Sequence, residues 1–272
     1  MISKNLTLRL IVAAVFIPAL LYVFHIGGLA FFILVEALVV MSLWEFYTLT
    51  KVRLYFGQKV ALILLAAVLP AQFQYFDIWH VWEFLLAAVF LTTLPFAFTR
   101  TLGDVGRSIG ISFFGLVYLT LGFSTLLLIR RGSVVEAETA AGWITFLFAA
   151  IWIIDTAAYF VGANFGRHKL SPAISPNKTI EGFVGGFFGA ILTAGIFNFI
   201  FLKQVGFMHL ILPGLAIAFF GQLGDLVESI FKREIGVKDS SNLIPGHGGM
   251  LDRFDSLVFA APALYLYLLY WQ

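Results

Sequence analysis

Apolar residues in this chain do not alternate with polar ones; they run on in blocks about twenty residues long, divided by short polar breaks. A block of about 20 residues is the length of one helical bilayer crossing. A membrane-length window finds nine of them, centred near residues 16, 39, 69, 90, 119, 152, 192, 220 and 261. Lipid offers bare backbone groups no partner, so such blocks must be helices or a closed barrel, and the lack of alternation excludes the barrel. The pattern predicts an all-α, polytopic integral membrane protein of about nine transmembrane helices. The third block is the weakest, because it holds Pro70 and fades into the mixed stretch from Gln72 to Asp77. The first follows Lys4 and Arg9 like a signal peptide. No small-x-small cleavage pattern closes it and Gly27-Gly28 leads straight into the next block, so a retained helix is expected.

Composition agrees: 61% of the 272 residues are hydrophobic, 12% are charged, and mean hydropathy is +0.97. Soluble domains carry roughly 25% charged residues, so this chain has too few to cover a water-facing surface. With no cysteine, thiol catalysis, disulfides and cysteine metal sites are excluded. The net charge of +2 matters less than its distribution. The N-terminal segment and every second loop after it hold 14 of the 17 Lys and Arg; the other loops hold only Arg130, Arg131 and Lys203. That bias predicts a cytoplasmic N-terminus and, with nine spans, an external C-terminus. Two polar connections exceed a simple turn, Gly162 to Gly182 and Lys232 to Gly249. Two spans separate them, so both are expected on the cytoplasmic side.

The segment from Ser229 to Asp255, SIFKREIGVKDSSNLIPGHGGMLDRFD, is the richest in candidate chemistry. Asp225, Glu228 and Ser229 stand at i, i+3 and i+4 on one helical face, and Asp225 lies roughly 10 Å along the axis from Lys232. Asp252 and Asp255 are i, i+3 in the first turns of the next helix. Two helix ends can thus offer four carboxylates to one volume, and carboxylate, water and phosphate oxygens are what Mg2+ takes. Taken singly, Asp252 also reads as a helix cap and Asp225 as an ion-pair partner. An acid two turns inside an apolar span is costly, however, and marks a site by default. Lys232, Arg233, Lys238, Arg253 and the glycine-flanked His247 (Gly248 and Gly249 follow it) are interleaved with the acids, as a metal-bound polyphosphate would require. Lys51, Arg53, Lys59, Arg100 and Arg107 read simply as topology markers.

A second constellation is Lys169 to Gly182, KLSPAISPNKTIEG. Ser175, Asn177, Lys178 and Thr179 offer phosphate donors; equally, Ser175 or Asn177 could cap the seventh helix with Glu181 in its first turn. Asn177-Lys178-Thr179 is formally a glycosylation sequon, a chance match on the cytoplasmic side. Asp155 is a further acid inside the sixth span; Glu36 and Glu45 in the second span are similar but distant in sequence. Gly182, Gly185, Gly186 and Gly189 read as close helix-packing positions. Neither a Walker A nor a Rossmann fingerprint is present.

These residues resemble the phosphatidate cytidylyltransferase (CDP-diacylglycerol synthase) family. Ser229, Lys232-Arg233, Lys238-Asp239, Pro245, His247-Gly248-Gly249 and Asp252-Arg253-x-Asp255 match its signature without a gap. Asp155-Thr156-x-x-Tyr159, the run Ile174 to Gly182, and Gly221-Gln222-x-Gly224-Asp225 are similar to that family too. Outside roughly residues 150–256 the likeness rests on hydrophobic character alone. The resemblance implies a Mg2+-dependent reaction of CTP with phosphatidate, giving CDP-diacylglycerol and pyrophosphate, a step of phospholipid biosynthesis. In that reading Asp225, Asp252, Asp255 and Glu228 are the metal candidates, and a second cation such as K+ is left open. Lys232, Arg233, Lys238, Arg253 and His247 join the catalytic set; Ser175, Asn177, Lys178, Thr179, Glu181, Ser229, Gly248, Gly249 and Asp155 contact substrate. Residues 1–141 would be a scaffold of five helices with lipid access and dimer contacts. Residues 142–272 would be the catalytic part, helices six to nine with the two loops. The expected partners are CTP, phosphatidate, membrane lipids and a second copy of the chain, without nucleic acid, in an inner membrane with the site on the cytoplasmic side. A CTP-dependent lipid-alcohol kinase and a cation transporter are the alternatives, the latter disfavoured by an acidic cluster at one membrane edge rather than at midplane between repeats.

Overall fold

In the computed structural model, residues 4–76, 80–99, 103–241 and 249–270 are described. Among them are nine α-helices and one two-stranded sheet. The helices are α1 (Lys4–Ile26), α2 (Gly28–Leu49), α3 (Phe56–Tyr75), α4 (Val81–Thr93), α5 (Val105–Arg130), α6 (Ala137–Phe165), α7 (Ile180–Ile200), α8 (Phe207–Glu234) and α9 (Leu251–Tyr270). A 3-10 segment, Leu94–Phe98, prolongs α4. Each of the nine expected centres falls inside one helix. Among the described residues, seven helices are long and apolar enough to cross a membrane: α2, α3, α4 with its extension, and α5 to α8. In the part of α1 whose side chains are described, Ala14–Ile26 is apolar, and α9 opens on Asp252, Arg253 and Asp255. Large side chains such as Phe98, Trp82, Phe199 and Phe188 lie on the outer surface, as lipid permits and water does not.

The chain divides into two compact units, Met1–Leu128 with Asp239–Arg253, and Ile129–Lys238 with Phe254–Gln272. In the first, Gly27 and Gly28 take φ of 61° and 53°, a backbone open to glycine, and let α2 follow α1 directly. The core of this unit runs along α2 through Phe31, Val35, Leu38, Val39, Leu43 and Phe46. Gly115 of α5 makes room for the Phe46 ring. Polar ties cross between helices: Tyr47 Oη donates to Ser112 O at 3.0 Å, and Gln58 Nε2 to Leu91 O at 2.9 Å. In lipid such bonds and close backbone approach replace the hydrophobic drive for helix association.

The second unit is built on the glycines of α7. A Cβ on Gly185 would stand 2.6 Å from Val161 Cβ, and one on Gly189 would stand 3.0 Å from Ala157 Cβ, so α6 and α7 approach at backbone distance. The neighbouring Gly186 faces Gln222 of α8, whose Nε2 donates to Phe183 O at 3.2 Å and Ala218 O at 2.9 Å. On α8, Gly221 and Gly224 admit α9: a Cβ on Gly224 would be 2.8 Å from Asp255 O. Small residues thus bring α6, α7, α8 and α9 from Phe254 onward into close contact within this unit.

The segment read as a polar loop holds the sheet. Strands β1 (Lys169–Ser171) and β2 (Ser175–Thr179) pair antiparallel, Lys169 opposite Thr179 and Ser171 opposite Ser175. The hairpin corrects the expected helix cap. Ser175 and Asn177 are strand residues, and the cap is Thr179, whose Oγ1 accepts from Gly182 N at 3.1 Å.

Candidate active site

The hairpin, α6, α7 and α8 enclose a cavity of about 470 Å3 in the second unit. Asp155, Asn177, Lys178, Thr179, Gln222 and Asp225 form its polar lining, and Ala158, Tyr159, Ala163, Leu170 and Phe183 its apolar one. Strand β2 places Lys178 over α8, where its Nζ pairs with Asp225 Oδ2 at 2.6 Å; both side chains are about one-third exposed, at 28% and 33%. Asp155, projecting from α6, lies within electrostatic reach of Asp225 and Lys178. Ser229, one turn beyond Asp225, sets its Oγ 3.4 Å from Asp225 Oδ1.

A second set of charges continues along α8. Glu228 and Lys232, at i and i+4, form a buried ion pair. Asp255 of α9 lies within electrostatic reach of Asp225, Glu228 and Lys232, and its Oδ1 accepts from Ser256 N at 2.6 Å. The second unit therefore gathers four carboxylates, Asp155, Asp225, Glu228 and Asp255, with two ammonium groups, Lys178 and Lys232. Among the described residues, no three carboxylates or imidazoles converge as a ready-made metal cage. The donor set nevertheless suits Mg2+. Its carboxylates offer hard oxygens only, and a magnesium ion bound largely through nucleotide phosphates would use only one or two of them.

Other expected site residues hold the surrounding backbone. Glu181 accepts from Arg167 N at 3.0 Å and from His168 Nδ1 at 2.6 Å, fixing the chain as it leaves α6 for β1. Arg233 donates from Nε to Ile174 O at 3.0 Å and from Nη1 to Val237 O at 2.7 Å, tying the hairpin turn to the end of α8. That helix ends through Gly236, φ 77°, in a left-handed cap. Lys238 and Arg253 are exposed. His247 and Gly248 lie outside the described residues.

Asp252 and Gly249 belong to the first unit. Asp252 Oδ2 accepts from Ser240 N at 2.8 Å, Ser240 Oγ at 2.9 Å and Gly249 N at 3.0 Å. A side chain on Gly249 would collide with Ser240 Oγ and stand 2.8 Å from Glu45 Oε2, so it would have to displace the polar groups gathered there. Glu45 is the participant that sequence reasoning passed over. Its carboxylate accepts from Ser241 Oγ at 2.6 Å, Met250 N at 3.0 Å and Leu251 N at 2.8 Å. The only signal in the sequence was an acid inside an apolar span.

The fold and this cavity define a helical membrane protein with a charged, oxygen-rich site opening beside apolar walls. The chain matches the Cytidylyltransferase family over residues 7–271 and belongs to it. It is 36% identical over 252 residues to the phosphatidate cytidylyltransferase of Bacillus subtilis (strain 168), an alignment covering 91% of this chain and 92% of that one. Over 127 residues, 47% of this chain and 49% of each relative, it is 50% identical to the phosphatidate cytidylyltransferase of Staphylococcus epidermidis (strain ATCC 12228 / FDA PCI 1200) and 48% identical to that of Staphylococcus aureus (strain COL).

Proposed function

We propose that this membrane nucleotidyltransferase moves the CMP moiety of CTP onto phosphatidate, releasing pyrophosphate and leaving CDP-diacylglycerol in the bilayer. The observation that carries the reading is the double lining of the α6–hairpin–α7–α8 cavity. Lys178, Asn177, Asp155 and Asp225 offer a polar wall for phosphates, while Tyr159, Leu170 and Phe183 offer an apolar one. A reaction between a water-soluble nucleotide and a lipid phosphate needs both surfaces in one place. The relatives named phosphatidate cytidylyltransferase support the same choice of substrates.

The phosphate monoester of phosphatidate carries about −1.5 to −2 charge near neutral pH, as phosphate monoesters do. One of its oxygens attacks the α-phosphorus of CTP. A new phosphorus–oxygen bond forms, the bond to the oxygen bridging α and β phosphorus breaks, and pyrophosphate leaves with that electron pair. No proton has to move, so the site needs no strong base. What it must overcome is repulsion between two anions, and the rest is in-line positioning. Lys178 turns from Asp225 to the triphosphate, and Lys232, two turns further along α8, holds positive charge beside Glu228. Thr179, fixed by its bond from Gly182 N, keeps β2 rigid where Lys178 projects. Asp225 and Asp255 would hold Mg2+, which when bound would neutralise the triphosphate and polarise its phosphoryl oxygens. The Glu181 and Arg233 contacts keep the hairpin from swinging away. The direct test is purified protein in detergent with CTP, phosphatidate and Mg2+. Stoichiometric pyrophosphate and CDP-diacylglycerol are expected; CDP with a phosphorylated lipid alcohol as the product would replace this reading by a kinase.

In this reading the hairpin and the segment after α8 face the cytoplasm, supported by the bias of Lys and Arg toward one set of loops. The chain has no cysteine, so each introduced one is a unique reporter. Ala173, Val237 and Ala137 are all exposed positions. Cysteines at Ala173 and Val237 are expected to resist a membrane-impermeant thiol reagent in intact cells and to react after permeabilisation. One at Ala137 is expected to react without it. Labelling of position 173 or 237 from outside would invert the orientation.

A further inference from the structure

One buried carboxylate organises the polar segment of the first unit. Glu45 lies near the end of α2, 5% exposed, in a helix that is otherwise almost wholly apolar. Burying it is costly unless every lone pair finds a donor. Here the donors come from a single distant stretch of chain. Oε1 accepts from Ser241 Oγ at 2.6 Å and Met250 N at 3.0 Å; Oε2 accepts from Leu251 N at 2.8 Å and lies 3.4 Å from Ser240 Oγ. Met250 N and Leu251 N are amides at the start of α9, which have no acceptor within their own helix. A negative charge at that end also complements the helix dipole.

Ser240 passes the constraint on. A serine hydroxyl has one proton, and the shorter distance, 2.9 Å to Asp252 Oδ2 against 3.4 Å to Glu45 Oε2, gives that proton to Asp252. Ser240 N and Gly249 N complete the hold on the same oxygen at 2.8 and 3.0 Å. Two carboxylates, Glu45 and Asp252, thus hold Ser240 and Ser241 on one side and Gly249, Met250 and Leu251 on the other, one carboxylate coming from α2 and one from the first turn of α9. A cavity of about 510 Å3 lined by Val40, Met41, Trp44, Thr48 and the two serines lies against Glu45.

We propose that Glu45 is a positioning residue for the cytidylyltransfer reaction, holding the segment that carries Asp252 and Arg253 in its working conformation. The inference deepens the proposed function and rests on it. It gives the N-terminal helices a part in turnover beyond that of a scaffold. Glu45→Gln preserves size but offers one acceptor oxygen, so whichever way the amide lies, either Met250 N or Leu251 N faces an NH2 group. Glu45→Asp keeps the charge but withdraws it by one methylene.

The test uses the full chain in detergent, with pyrophosphate release as the assay and amide hydrogen exchange read at Met250 and Leu251. Glu45→Gln is expected to lower kcat about ten- to hundred-fold, the usual size of losses from groups that orient a site. Its KM for CTP is expected to stay within about two-fold, because the nucleotide-facing lysine is held by other elements. Exchange at Met250 and Leu251 should accelerate, and Glu45→Asp should recover part of kcat. Unchanged kcat in Glu45→Gln, or a loss matched by a fallen unfolding temperature with exchange at these amides unaltered, would overturn the proposal. Should Glu45→Gln fail to fold, Ser241→Ala removes a single donor; normal kcat and normal exchange in that variant would refute it equally. An unsubstituted protein that releases no pyrophosphate would instead sink the proposed function.

Discussion

Replacing Asp225 by Asn is expected to cut turnover by about two to three orders of magnitude, the scale seen when one preorganised electrostatic group is removed from a reacting centre. Asp225 stands where three elements meet: its Oδ2 holds Lys178 of β2, its Oδ1 faces Ser229, and Asp155 and Asp255 come within reach of its charge. Asn keeps the shape of the side chain and removes only the charge. The helix itself should survive, because α8 is set by Gly221, Gly224 and the Gln222 bonds to Phe183 O and Ala218 O. The loss should therefore appear in kcat with the fold intact, and raising Mg2+ should recover little of it. Asp255→Asn is expected to act in the same direction, since that carboxylate shares the same neighbours. The measurement is initial pyrophosphate release across a Mg2+ titration, with an unfolding curve for each variant. Near-normal rates in both variants at every Mg2+ concentration would remove these two acids from the centre.

Much of this architecture was legible because lipid imposes a strong rule. Each apolar block had to become a helix, and each expected centre falls in one of the nine described helices. The glycines of α7 were readable for the same reason, since backbone approach between helices requires small residues at fixed spacing. Asp225 stood out as an acid two turns inside an apolar run. The pairing of Asp225 with Lys178 was not readable, because they stand 47 positions apart and nothing local specifies which lysine reaches which acid. The hairpin escaped for a different reason. Its strands are three and five residues long and hold proline and polar residues, so neither alternation nor β-branching marks them. Thr179 therefore takes over the cap that Ser175 or Asn177 would have supplied in a plain loop. Glu45 was the hardest case: two of its partners are backbone N–H groups, which leave no trace in side-chain identity. Arg233 is alike, spending its donors on Ile174 O and Val237 O rather than offering an obvious anionic partner. Side-chain chemistry can be seen in a sequence; who satisfies a backbone group cannot.

Lys178→Ala carries the second large expectation. In this structure the ammonium sits on Asp225 Oδ2 at 2.6 Å, the place a cation would take on that oxygen. The proposed reaction asks Lys178 to exchange the carboxylate for a phosphate oxygen when CTP enters, leaving Asp225 to the metal. Removing the side chain should thus have two opposing effects. Mg2+ binding without nucleotide becomes easier, since no ammonium competes for Asp225. CTP loses a charge-assisted hydrogen bond worth about 1.5–3 kcal/mol, so kcat/KM for CTP should fall about ten- to hundred-fold. Lys178→Arg should retain part of the activity, because it keeps the charge but not the single compact donor. Lys51→Ala, at a position read only as a topology marker, should leave kcat/KM unchanged. Coupling to Asp225 is the more discriminating readout. If the two residues serve one exchange, Lys178→Ala in an Asp225→Asn background should add much less than it does alone, whereas independent roles would multiply. The measurements are kcat/KM for CTP in the four proteins of that cycle and calorimetric Mg2+ binding to each without nucleotide. Additive losses, with Mg2+ affinity the same whether or not Lys178 is present, would show that the ion pair is only a structural tie between β2 and α8.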